Sequence, residues 1–193
     1  MPRFNEQEKE QIQKALLMEG AHLFTLYGIK KVTIDDIVKA VNIAKASFYR
    51  FYEGKEYLFL DIVQKQQEEI FTLLENLLHN NQSKSDKERV KEVFFAMSEL
   101  VEKYPLLMNI DKETVTLISR KISPQRLQEF ASQGFDAVKA IEQNGITFKY
   151  DAKVISQIFH AFYESWISLQ EQPQEMQATV IIIMLEGILQ QIL

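Results

Sequence analysis

Apolar residues recur every three or four positions along nearly the whole chain, which is the period of an amphipathic helix. Ile12, Leu16, Leu23 and Tyr27, widened by Ala15, Phe24 and Leu26, predict a first helix over residues 6–27. Gly28 then stands where a helix end favours a left-handed residue. Thr33 is placed to cap a second helix, with Asp35 and Asp36 suiting its positive end and Ile34, Ile37 and Val38 on its inner face. Val41-Asn42-Ile43 interrupts that helix, and Asn tolerates positive φ better than any residue but Gly. A third, short helix is expected over residues 44–50, with Phe48 inward and Lys45, Ala46, Ser47 and Tyr49 outward. Phe51-Tyr52-Glu53-Gly54 breaks the pattern, and Leu58, Phe59, Ile62, Ile70, Leu74 and Leu77 mark a long fourth helix over 55–79.

Beyond the polar run Asn80 to Lys84, Ser85 and Glu88 have capping-box spacing, and Val90, Val93, Phe94 and Met97 trace the next helix up to Tyr104-Pro105. Residues 106–122 read as two short helices meeting near Asp111. Ser123-Pro124 is a cap followed by Pro at the first helical position, and Leu127, Phe130, Ala131, Phe135, Val138 and Ile141 predict one helix from there to Asn144-Gly145. Ile146 to Tyr150 alternates like a strand, but five isolated residues read better as an extended connection. Asp151 caps a helix carrying Val154, Ile158, Phe162 and Trp166, Pro173 breaks it, and a last helix follows. The sum is an all-α chain of nine or ten helices.

Composition supports this and removes alternatives. Six Gly and four Pro in 193 residues are too few for a loop-rich or all-β chain. The absence of Cys excludes disulfides and thiolate chemistry and fits a reducing cytoplasm, where the chain is expected. The first residues, Met1 to Glu6, have no apolar run behind them, so no secretion signal is expected, and no apolar run is long enough for a membrane span. Net charge is −5, but unevenly placed. Residues 1–56 hold nine basic and eight acidic side chains, whereas 57–193 hold thirteen and nineteen. Within 28–55, Lys30, Lys31, Lys39, Lys45, Arg50 and Lys55 outnumber Asp35, Asp36 and Glu53.

Two short helices joined by a tight turn and packed on a longer one form a helix-turn-helix, whose second helix enters the DNA major groove by its N-terminal end. Small Ala44, Ala46 and Ser47 permit close approach, and Lys45 can reach a guanine edge or a phosphate. Thr33 with the N–H groups behind it can hold a phosphate, as can Lys55, while Tyr49 and Tyr52 can offer hydroxyls. The run from Thr33 to Leu58 resembles the N-terminal region of TetR/AcrR-type transcriptional regulators. In that family a Thr opens the second helix, Gly or Asn sits in the turn, Lys-Gly-Thr/Ser-Phe/Leu-Tyr forms the recognition helix, and an aromatic pair precedes Lys-Glu-x-Leu. Here Asn42, Lys45-Ala46-Ser47-Phe48-Tyr49, Phe51-Tyr52 and Lys55-Glu56-Tyr57-Leu58 take those places. Ala44 stands where a capping Ser is usual, and Ala46 replaces Gly.

The resemblance implies a three-helix DNA-binding domain, residues 1–54, followed by a larger helical bundle, 55–193, for effector binding and dimerisation. It also implies a homodimer on a palindromic operator, repression, and release by a small molecule. Thr33, Lys45, Ala46, Ser47, Tyr49 and Lys55 are the DNA-binding residues it carries over. The last two helices are apolar on several sides, so a second subunit is expected against Phe162, Val180, Ile181, Met184 and Ile188. Phe94, Met97, Tyr104, Phe130, Phe159, Tyr163 and Trp166, with Met108 and Phe135 nearby, suit a largely apolar effector, for which His160, Glu164 or Glu99 would be polar handles. The fourth helix joins both halves and is expected to carry the effector's signal.

No His-x-x-x-His pair, phosphate-binding glycine loop or Ser/His/Asp pattern is present, and His22, His79 and His160 lie far apart in sequence, so neither an enzyme nor a cofactor is expected. The remaining rival is a helical adaptor that has lost DNA binding.

Overall fold

The computed structural model describes residues 5–108, 110–132 and 136–193; the side chains of residues 98, 99, 101, 102, 108 and 132 are outside the description. Phe135 and the side chains of Glu99 and Met108, named above as candidates, therefore lie outside the description. Among the described residues there are eleven helices and no strand: α1 (Glu6–Lys31), α2 (Ile34–Val41), α3 (Lys45–Phe48), α4 (Lys55–Asn80), α5 (Asp86–Lys103), α6 (Pro105–Met108), α7 (Lys112–Lys121), α8 (Pro124–Ser132), α9 (Ala137–Gln143), α10 (Ala152–Leu169) and α11 (Gln174–Ile192). None of them is long and apolar enough to cross a membrane.

Local chemistry sets most of the boundaries. Asn5 and Glu8 form a capping box on α1, and Gly28, at φ 75° and ψ 152°, breaks the helix where a side chain would be strained. Ser85 and Glu88 exchange hydrogen bonds at the start of α5. Asp111 and Asp151 cap α7 and α10 by accepting from Thr114 and Val154, and Ser123 accepts from the N–H of Arg126 at the start of α8. The single helix expected from Pro124 to Gln143 is two. Asp136, extended at φ −128° and ψ 101°, caps a separate α9 by accepting from Lys139. Its carboxylate outweighs an apolar period that runs on across the break.

The chain divides into two compact units, Met1–Glu69 with Val101–Gly134 and Ile70–Leu100 with Phe135–Leu193. In the first, Leu16, Phe24, Ile37, Phe48, Leu58 and Val63 share one core with Leu106, Ile118 and Ile122 from α6, α7 and the turn after it. Helices α1 and α4 approach closely at Gly20. A Cβ there would lie 3.0 Å from both Ile62 Cδ1 and Leu58 Cδ2, and the rings of Phe24 and Phe59 meet edge-on at 5.5 Å. In the second unit the core is Ile70, Leu74, Leu78, Val90, Val93, Ile141, Ile155, Leu185 and Leu189. Arg89 is buried there and donates to the carbonyls of Leu78 (3.2 Å) and Asn144 (2.9 Å), tying together the C-terminal ends of α4 and α9. A cation suits two carbonyl-rich helix ends. Residues 146–150 are the extended connection expected, with Ile146 and Phe148 buried.

Candidate nucleic-acid interface

The α2–α3 pair is built by three local devices. Thr33 and Asp36 form a reciprocal capping box at the head of α2: the N–H of Thr33 donates to Asp36 Oδ2 at 2.8 Å and the N–H of Asp36 to Thr33 Oγ1 at 3.2 Å. The hydrogen bond from the Thr33 hydroxyl holds the Asp36 carboxyl below its ordinary value. At the other end Asn42 is left-handed, φ 56° and ψ 47°, so that its own N–H and that of Ile43 fold back onto the carbonyls of Lys39 and Val38. Beyond the turn, α3 has no side-chain cap at Ala44 and is only four residues long. Its anchor is Phe48, fully buried, with Tyr49 and Tyr52 beside it at 5.7 and 5.9 Å between ring centroids.

That inward anchor turns the rest of α3 outward. Lys45, Ala46 and Tyr49 are exposed and Ser47 is half-buried, while Thr33 is exposed one helix away. Lys45 is not a bare cation. Its ammonium donates to Asp35 Oδ2 at 2.8 Å, and that hydrogen bond holds its pKa above the ordinary lysine value. Lys55 takes another place than the outward one expected. Its ammonium turns back and donates to the carbonyls of Ile29 at 2.7 Å and Val32 at 2.6 Å, closing the α1–α2 corner. Tyr52 does not offer a surface hydroxyl. It is 6 % exposed, and burial pushes its pKa up.

The aromatic residues proposed for an effector fall in both units. In the second unit Phe94 meets Phe159 and Phe162 edge-on at 4.6 and 4.8 Å, Phe148 lies 6.0 Å from Phe159, and Trp166 lies 6.3 Å from Phe162. Tyr163 is half-buried with its hydroxyl enclosed, and Met97 is half-buried on α5. Tyr104 and Phe130 belong to the first unit, where Tyr104 donates to Glu69 at 2.7 Å and Phe130 packs on the core. His160 is exposed and sits 3.4 Å from Glu164, so neither is an interior handle. A cavity of about 190 Å³ opens beside Trp166, Leu169, Ala178 and Ile181.

On α11 the inward side is Ile181, Leu185, Leu189 and Ile192. Phe162 and Ile181 are thus enclosed within their own unit. Val180, Met184 and Ile188 are half-buried, and Met176 and Ile183 are exposed on the face where a Cβ at Gly187 would meet nothing.

An all-α chain whose N-terminal helix-turn-helix turns a small, partly cationic helix face outward belongs to the class of helix-turn-helix DNA-binding proteins. Residues 16–62 match the sequence model of the bacterial regulatory proteins of the tetR family. The HTH-type transcriptional regulator YhgD of Bacillus subtilis is 27% identical over 144 residues, covering 69% of each chain. The fold is that of a TetR family transcription regulator from Marinobacter aquaeolei, with a TM-score of 0.64 at 16% identity over 94% of this chain and 97% of the other. The fatty acid degradation regulator FadR of Bacillus halodurans also shares it, with a TM-score of 0.63 at 12% identity over 97% of both chains. Residues 16–62 thus carry the sequence pattern of the tetR family, and the chain as a whole has the fold of TetR family regulators.

Proposed function

We propose that this regulator is a homodimeric repressor that binds a palindromic operator and leaves it when a small, largely apolar molecule binds. Residues 1–54 act as the DNA-binding domain and 55–193 as the domain for effector and partner. Thr33, Lys45, Ala46, Ser47 and Tyr49 meet the duplex, with Lys45, Ala46 and Ser47 nearest the bases. Lys55 serves them by holding the corner that presents Thr33 to a phosphate. The observation that carries this reading is Phe48: its burial fixes which side of α3 faces out, and that side bears Lys45, Ala46 and Tyr49. A recognition helix reads few bases, so two copies about 34–36 Å apart give a site of useful length. The half-buried and exposed apolar residues of α11, Val180, Ile183, Met184 and Ile188, supply a surface for the second copy. The Phe94–Phe159–Phe162 cluster supports an apolar effector.

Selection of duplexes from a random pool, followed by gel shift at matched salt, tests the proposal. A twofold-symmetric site is expected, with Lys45→Ala and Tyr49→Phe weakening it while fold and oligomeric state persist. No binding even at low salt would refute DNA recognition and support the adaptor.

A further inference from the structure

Asp35 stands on a surface that meets a polyanion, where a carboxylate opposes binding, and it does not close the cap of α2. That cap consists of Thr33 and Asp36, each hydrogen-bonded to the other. The Asp35 carboxylate instead reaches across the turn to Lys45, ten residues on, at 2.8 Å. Both side chains are exposed, at 69 and 50 %, and an exposed pair adds at most about 1 kcal/mol to stability. The pair therefore does little for the fold. What it does is neutralise the lysine that opens α3.

We propose that Asp35 holds down the DNA affinity of α3: it keeps Lys45 in an ion pair that duplex DNA must break before Lys45 can bind it. Phosphates alone are offered by every sequence, and against them Lys45 gains one charged partner by losing another. A site that also places a base acceptor within reach of the freed ammonium gives it a directional hydrogen bond in addition. Breaking the pair costs the same whatever the sequence, so Asp35 lowers the affinity for all DNA, the chosen site included. Asp35 is a positioning residue in this account, acting through Lys45. The inference rests on the DNA-binding reading above.

The test is the salt dependence of binding to a duplex of arbitrary sequence, measured by fluorescence anisotropy with the full chain. Each cation newly placed on a phosphate steepens the dependence of log K on log salt by about 0.9, which at 0.1 M is roughly an eightfold gain. Asp35→Asn is expected to steepen the slope by about that amount and to tighten arbitrary DNA about eightfold. In the Lys45→Ala background the same substitution frees no cation, so the slope is expected to stay where it is. Loss of the Asp35 charge from the positive end of α2 changes thermal stability, not this slope, so a merely structural role leaves the slope unmoved. An unchanged slope for Asp35→Asn, or equal steepening with and without Lys45, overturns the inference. A wild-type chain with no salt-dependent binding at all overturns the DNA-binding reading itself, and the inference with it.

Discussion

Truncating Phe48 to Ala should detach the recognition helix. Helix α3 has four residues and no side-chain cap, whereas an isolated helix needs on the order of 12–15 residues to be even marginally stable in water. Its conformation must come from tertiary packing, and Phe48, with no exposed surface, is the fully buried member of α3. Replacing a buried Phe by Ala costs about 3–5 kcal/mol, a range that includes the edge-on and tilted contacts with Tyr49 and Tyr52. Against a typical domain stability of about 5–15 kcal/mol, that is a fifth or more of what holds the first unit together. Urea unfolding followed by circular dichroism should show a lower midpoint with a similar slope. Amide exchange over residues 44–52 should accelerate more than over α1. Lys45→Ala and Tyr49→Phe alter exposed groups and should leave the midpoint within about 0.5 kcal/mol while weakening DNA binding. If Phe48→Ala lost less than about 1 kcal/mol, the claim that this one ring orients α3 would be wrong.

Asn42→Ala should destabilise the first unit by about 1–2 kcal/mol, because Ala lacks the tolerance of Asn for φ 56°, whereas Asn42→Gly should cost nothing; thermal melts of the two variants decide it. Gly20→Val should cost about 1–3 kcal/mol in urea unfolding, since even a Cβ lies 3.0 Å from Leu58 and Ile62. Glu186 is bound by Lys87 at 2.5 Å and Lys91 at 2.6 Å, and these hydrogen bonds lower its pKa to about 2. Its folded value lies below the ordinary glutamate value of about 4.3, so its stabilising effect is complete above that value and disappears as pH falls through it towards 2. Glu186→Gln should accordingly lower the melting temperature at pH 7 and make no difference at pH 2; equal effects at both would contradict the assignment.

Short-range chemistry was legible in the sequence because its partners sit three or four residues apart. Thr33 with Asp36, Ser85 with Glu88, Asn42 in its turn and Ser123 before Pro124 all act at those spacings. Phe48 was readable as the inward residue because a short helix beside a long one has one apolar side. Three features needed coordinates. The break between α8 and α9 is hidden under an uninterrupted apolar period, and only the cap at Asp136 reveals it. Lys55 serves carbonyls more than twenty residues earlier, and Lys45 pairs across a turn; neither spacing is periodic. Helix α11 is apolar nearly all round, so periodicity could not tell that Ile181 faces inward and Ile183 outward.

The helix-turn-helix of this chain does not stand on three helices alone. Leu106, Ile118 and Ile122 lie in the same core as Leu16, Ile37 and Phe48. Polar contacts then set the register of that packing. Arg126 on α8 donates to Asp61 at 2.7 Å and Gln64 at 3.0 Å on α4, the N–H of Ser123 donates to the Tyr57 hydroxyl at 3.4 Å, and Lys30 pairs with Glu113 on α7. Exposed ion pairs add little energy, and the apolar contacts carry the stability. What the pairs add is direction, since a half-buried Arg126 fits one arrangement of α8 against α4 and not its neighbours. The opening of α4 bears Lys55, and Lys55 holds the carbonyls before Thr33. The contacts that run from α8 through α4 to the α1–α2 corner therefore all lie inside one close-packed unit, the unit that also holds α3.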